Sequence, residues 1–202
     1  MGSKVSYFIA IDLPLEVRDE LMLIAAGVPG AYWVDEEQLH LTLRYLGEID
    51  GLVLRNLQGA LDRIDARSFV LQLEGIGFFP PRGEPEVLWV GVEKSQPLSD
   101  LRARVDALAS RLGVPADRKR YTPHVTLARL HDAPDSRLAR FAMEQALFKS
   151  TPFSPLTFSL YASRRNETGS EYQRIAAYVL RGGDARVAHG PEGSPAVRDV
   201  PG

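Results

Sequence analysis

Two short segments of the chain pair a histidine with a threonine two positions later: His40-Leu41-Thr42-Leu43 and His124-Val125-Thr126-Leu127, beginning 84 positions apart. Side chains at i and i+2 of a strand share a face, so each segment presents an imidazole beside a hydroxyl and turns its aliphatic residues the other way. An imidazole titrates near neutral pH and a hydroxyl donates a hydrogen bond, a combination suited to proton transfer beside a bound anion. With two such units, one imidazole can accept a proton while the other gives one. A single His-x-Thr is adequately explained as an ordinary half-buried strand. Two copies in a chain with four histidines imply duplicated halves that meet at a cleft.

If the anion is a strained cyclic phosphodiester, its opening needs a base for water, an acid for the departing oxygen and donors for the phosphoryl oxygens. His40 and His124 supply the first two, Thr42 and Thr126 the third. Arg44, four residues past His40, shares the cleft face under strict alternation and would meet a phosphate. Arg129, five past His124, falls on the opposite face unless a β-bulge intervenes. Tyr45 and Tyr121 are candidates to stack on a base, or simply core residues. The basic run Arg118-Lys119-Arg120 is either a solvated loop or a contact for an RNA backbone. Two rival chemistries stay open. A Ser or Thr nucleophile wants one histidine oriented by a carboxylate, not two equivalent units. A metal site from His40, His124, His131 and a carboxylate would lack the HExxH or carboxylate clustering usual for such sites.

The elements that must carry these residues can be read from periodicity. Val5 to Ile11, Phe69 to Leu73, Val87 to Val92, Phe153 to Ser163 and Tyr172 to Leu180 read as strands, with Tyr32 to Val34 extended. Helices are expected over 15–26, 52–64, 98–112 and 136–148. The Gly- and Pro-rich stretch 75–85 reads as a long hairpin loop, and RRNETGSEY as a polar turn. Residues 1–181 are expected to form one bilobal domain and 182–202, with His189, a disordered tail. Strands and helices mix without strict βαβ alternation, which makes the fold class α+β: two similar lobes with antiparallel sheets, flanked by helices, around a central cleft.

With 202 residues, 45% of them hydrophobic and 25% charged, the chain can bury a sizeable core. A formal charge of −2 argues against a general nucleic-acid coat and leaves room for a local basic cleft. The absence of cysteine excludes disulfides, thiolate zinc sites and cysteine nucleophiles. MGSKVSYFIAIDLP reads as a strand rather than a signal peptide, and no apolar run approaches the roughly 20 residues of a membrane span. The expectation is a cytoplasmic monomer with no membrane association.

The motifs HLTLRYLG and PHVTLAR, the opening YFIAIDLP, and GFFP followed by VLWVGV resemble the two-histidine (2H) phosphoesterase superfamily. Within it, the chain is similar to the bacterial and archaeal RNA 2′,3′-cyclic phosphodiesterases, historically called 2′-5′ RNA ligases. The similarity runs from about Ser6 to Leu180 and includes Ser163, Gly169 and Tyr172. The resemblance implies a bilobal α+β fold with the motif strands lining the cleft, and hydrolysis of a terminal 2′,3′-cyclic phosphate on RNA to a 2′-phosphomonoester without metal or other cofactor. It assigns His40 as proton donor to the leaving 3′ oxygen and His124 as the acceptor that activates water. Thr42, Thr126 and Arg129 then hold the phosphate, which requires a local bulge or a strand end at Arg129. Arg44 and Tyr121 are further candidates for contact with the substrate. A small cyclic nucleotide or ADP-ribose cyclic phosphate as substrate, 2′-5′ ligation as the reverse reaction, and an RNA-binding module without turnover stay open.

Overall fold

Apolar alternation and capping residues become thirteen elements in the computed structural model, which describes residues 5–117, 120–166 and 169–182. The first half runs β1 (Val5–Asp12), α1 (Leu15–Ile24), β2 (Ala31–Trp33), a 3-10 turn (Glu36–Gln38), β3 (His40–Gly47) and α2 (Gly51–Leu61). A hairpin of β4 (Leu73–Phe79) and β5 (Val87–Val92) leads to α3 (Gln96–Arg111), β6 (His124–Leu130), α4 (Asp135–Glu144), β7 (Thr157–Asn166) and β8 (Gly169–Val179). Asp50 caps α2 by accepting from the Leu52 and Val53 N–H groups, and Ser95 caps α3 by accepting from Leu98 N–H. The order β1-α1-β3-α2 recurs as β5-α3-β6-α4.

The α+β architecture expected from the sequence is present, with its two antiparallel sheets as halves of one eight-stranded sheet. Strand order is β4-β5-β6-β3-β1-β7-β8, and β2 lies along β6. The halves meet between β3 and β6 through one registered pair, Leu41 opposite Val125. β2 occupies the rest of that edge of β6, from Ala31 opposite Leu130 to Trp33 opposite Ala128. The two motif strands are therefore side by side in one sheet. With Leu41 opposite Val125, antiparallel alignment carries His40 towards Thr126 and Thr42 towards His124. On the other face Leu41, Leu43, Val125 and Leu127 are buried with Leu98, Leu101, Val105 and Ala109 of α3 in one apolar core.

Both motif strands break alternation at the same place. In β3 Thr42 stands opposite Ala10 and Arg44 opposite Ile9, so Leu43 is one residue too many. In β6 Thr126 stands opposite Trp89 and Ala128 opposite Leu88, leaving Leu127 as the extra residue. Each bulge reverses the facing of the residues beyond it. It sends Arg129 to the cleft side, and by the same step it overturns the expected cleft position of Arg44. Arg44 is 3% exposed on the helix side, where its Nε lies 2.9 Å from Asp106 Oδ1 of α3, its Nη1 3.7 Å from Asp117, and its Nη2 donates to the Pro115 carbonyl. Tyr45 takes the cleft position instead.

Three expected boundaries shift. β4 starts at Leu73 and runs into the glycine-rich stretch, where the expected strand ended at 73, because Gly77 admits Trp89 opposite it: an added Cβ would overlap the indole. Gly75, at φ +74°, forms a bulge between Glu74 and Ile76. Residues expected as a polar turn mostly extend β7 and β8 into a long ribbon, paired from Thr157 opposite Val179 to Asn166 opposite Gly169. Phe153 precedes β7 and forms an isolated bridge with Leu71. The expected tail beyond residue 182, with His189, lies outside the described residues, as do Arg118 and Lys119. No helix among the described residues is long and apolar enough to cross a membrane.

Candidate active site

His40, Thr42, His124 and Thr126 all line a cleft of about 610 Å³ whose rim includes Tyr45 and Arg129. The two imidazoles are held in the same way. His40 Nδ1 lies 2.6 Å from the Gln38 carbonyl and His124 Nδ1 lies 2.7 Å from the Thr122 carbonyl, in each case two residues earlier. A carbonyl only accepts, so Nδ1 of each ring carries the proton and donates it, leaving Nε2 for the cleft. The local cause is the extended backbone entering each strand: Leu39, the cap of the 3-10 turn, sits at φ −67° and ψ 120°, and Pro123 before His124 is biased to extended conformations.

Each ring is packed among aromatics. His40 stacks on Phe8 at 4.8 Å between centroids and meets the edge of Tyr172 at 5.3 Å. His124 meets Phe79 at 4.9 Å and Trp89 at 5.9 Å. Burial in these aromatic walls pushes both histidines below the usual imidazole range, and both carbonyl hydrogen bonds oppose the shift. Charge treats the two differently. The Asp12 carboxylate raises His40, while His124 lowers it; the Arg129 guanidinium lowers His124 further.

Asp12, at the end of β1, is opposite His40 in the strand register. Its carboxylate accepts from Ser159 Oγ at 2.8 Å and from the Tyr161 hydroxyl, and lies 3.7 Å from Arg174 Nη1. Burial and the neighbouring carboxylate hold the Tyr161 hydroxyl protonated, well above the ordinary tyrosine range. Sequence reading did not single out Asp12, Ser159, Tyr161 or Arg174. The available signal was the segment YFIAIDLP, which carries the family resemblance and contains a carboxylate at the strand's end.

The remaining candidates are placed elsewhere. The Tyr121 hydroxyl donates to the Thr42 carbonyl at 3.0 Å while Arg102 sits 4.4 Å over its ring, so Tyr121 ties the segment before β6 to the back of β3 and is not among the cleft-lining residues. His131 is beyond the end of β6 with its Nδ1 3.3 Å from Asp132, away from the other two histidines. Among the described residues no three His, Asp or Glu side chains gather as a metal site would require. Arg120 is exposed. No serine or threonine hydroxyl is hydrogen-bonded to either imidazole as a nucleophile would be, among the described contacts.

Duplicated His-x-Thr strands, side by side in one sheet, thus bring two imidazoles and two hydroxyls to one cleft. The chain belongs to the 2′-5′ RNA ligase superfamily, whose family model matches residues 18–165. A protein of Geobacillus stearothermophilus named RNA 2′,3′-cyclic phosphodiesterase is 33% identical over 193 residues, which cover 91% of this chain and 60% of that protein. One of the same name from Thermotoga maritima is 31% identical over 192 residues, covering 90% of this chain and 98% of its relative. The crystal structure of the Thermus thermophilus protein TT0787 matches with a TM-score of 0.76 at 26% identity, over 88% of this chain and 98% of that one.

Proposed function

We propose that this chain hydrolyses a terminal 2′,3′-cyclic phosphodiester on RNA to a 2′-phosphomonoester, with His40 as proton donor and His124 as proton acceptor. His124 Nε2 takes a proton from water as the water oxygen bonds to phosphorus; the bond from phosphorus to the 3′ oxygen breaks, and that oxygen takes the proton on His40 Nε2. One proton enters at His124 and one leaves from His40, so exchange with solvent resets the pair. Thr42 and Thr126 donate hydroxyl hydrogen bonds to the phosphoryl oxygens, and the Arg129 guanidinium offsets their charge. Tyr45, at the cleft rim, offers a ring face to a base.

The observation that carries this reading is the matched pair of imidazoles, each with Nδ1 bound to the carbonyl two residues earlier and Nε2 left to one shared cleft. The names of the two curated relatives, at 33% and 31% identity, support the substrate. The test is incubation of the purified chain with an oligoribonucleotide ending in a 2′,3′-cyclic phosphate, in excess chelator, with the position of the product phosphate identified. A 2′-phosphate is expected. A 3′-phosphate would reverse the proton roles, activity only on added divalent metal would defeat the metal-free pathway, and faster turnover of a mononucleotide cyclic phosphate would change the substrate class. The same path with a 5′-hydroxyl in place of water forms a 2′-5′ linkage, which is tested by adding a 5′-hydroxyl RNA.

A further inference from the structure

The duplicated halves align around the histidines, and two of their differences put unlike charge on the two imidazoles' sides of the site. The residue opposite His40 in strand register is Asp12; the residue opposite His124 is Gly91. The residue five past His40 is Tyr45; the residue five past His124 is Arg129, and both line the cleft. One imidazole thus has an added carboxylate and the other an added guanidinium. Gly91 cannot be matched to Asp12 by a simple replacement, because an added Cβ would lie 2.8 Å from the Glu74 carbonyl oxygen of β4.

We propose that Asp12 is the positioning residue that makes the two histidines unequal: its carboxylate makes His40 the ring that holds the proton when the pair carries one, which commits His40 to giving the proton and His124 to taking one. This deepens the proposed reaction and rests on it. Asp12 is held for the task by donors on β7, Ser159 Oγ at 2.8 Å and the Tyr161 hydroxyl, so its charge cannot swing away from His40. Tyr161 itself lies 6.4 Å from the His40 ring, centroid to centroid, so the carboxylate, its anchor and the imidazole form one packed group.

Other groups face His40 from the remaining elements. Arg18 of α1 and Glu37 of the 3-10 turn line the space beyond the ring, and Glu171, Tyr172 and Arg174 approach it from β8. The two arginines and two glutamates there carry equal and opposite formal charge. Asp12 and His124 are the charges that act most strongly on His40, in opposite senses, and Arg174, beside Asp12, acts more weakly. Removing Asp12 therefore removes the favourable charge and leaves burial and His124 to expel the proton.

The test is an NMR titration of the histidine rings in the free full-length chain, for the native sequence, Asp12→Asn and Arg174→Gln, with the pH profile of kcat/KM for each. Asn at 12 keeps one oxygen to accept from one of the two hydroxyls of Ser159 and Tyr161, and its amide N–H can donate to the other, whose proton rotates away. In Asp12→Asn the His40 midpoint should fall by about one pH unit, because an opposite charge at this range is lost, with His124 moving less than a third as far. The alkaline limb of kcat/KM should move down by the same amount. Arg174→Gln should do the opposite, raising His40 by a few tenths of a unit, since it removes a half-exposed cation beside the carboxylate. A merely structural role for Asp12 would not produce shifts of opposite sign. An unmoved His40 in Asp12→Asn, equal shifts of both histidines, or a fall in Arg174→Gln would each overturn the proposal. If Asp12→Asn does not fold, the surface variant Arg174→Gln decides alone: a rise supports the proposal and no rise overturns it. Absence of turnover by the native chain would strike only the proposed reaction, because the titration is read without substrate.

Discussion

Replacing Arg44 by Met and Arg129 by Met should have opposite consequences, although both arginines belong to the motif strands. Arg44 is buried at 3% exposure between β3 and α3, with Asp106 Oδ1 2.9 Å from its Nε and Asp117 3.7 Å from Nη1. The Nε and Oδ1 atoms are close without hydrogen-bond alignment, so the pair acts chiefly through charge. Removing one partner of a fully buried pair costs about 3–5 kcal/mol. Here the carboxylates are about a third exposed, at 33% and 38%, and can rehydrate once the arginine is gone. With the aliphatic stem retained by Met, about 2 kcal/mol of stability is lost, which for a chain of this size lowers Tm by about 4–8 °C. Catalysis per folded molecule should stay within about threefold, since the side chain is behind the sheet; a full loss of a phosphate contact would cost about ten- to a hundredfold. Arg129→Met should show that reverse pattern, with kcat/KM down about ten- to a hundredfold and Tm nearly unchanged. Urea denaturation at constant m, combined with initial rates on a cyclic-phosphate oligonucleotide, separates the two. An Arg44→Met protein of native stability with a weakened KM would refute the bulge as the feature that sorts these arginines.

His40→Ala and His124→Ala should each lower kcat by about 10²–10⁴-fold while retaining the far-UV circular dichroism of the native chain; near-native turnover in either would remove it from the proton-transfer pair. Burial holds both imidazoles below their ordinary value, so the unfolded chain takes up these protons first as pH falls. Stability contributed by the neutral rings is therefore present above about pH 6.5 and is lost on acidification below it, so that urea midpoints should decline between about pH 6.5 and 5. Midpoints that are flat across that window would show that the rings are not buried uncharged. Gly77→Ala should destabilise by about 1–3 kcal/mol because its methyl has no room beside Trp89, and displacement of the indole that contacts His124 should lower activity as well. An Ala variant with native stability and turnover would mean that the indole can move without consequence.

The shared facing of the candidate site residues that alternation governs was legible in the sequence. His40 with Thr42 and His124 with Thr126 share a face because the pleat of a strand has period two, a property of the local backbone. The repeated spacing also identified the duplication, and hydrophobic steps located all four helices to within a few residues. What alternation cannot see is pairing. A bulge exists only between a strand and its neighbour, so whether Arg44 or Tyr45 faces the cleft was decided by β1 and by the carboxylates of α3 and the loop after it. The family resemblance required a bulge or a strand end at Arg129, yet the same displacement 84 positions earlier was there to be drawn from the duplication itself. β4 was hidden because its glycines read as breakers when each in fact answers to a neighbour, Gly77 to Trp89 across the hairpin and Gly75 to its bulge. Asp12 lies in the YFIAIDLP segment, but its neighbours His40, Ser159 and Tyr161 are met only when β1 is laid against β3 and β7. Local chemistry and periodicity are written along the chain, whereas the partner opposite each residue is set by long-range strand register, which tertiary packing alone selects.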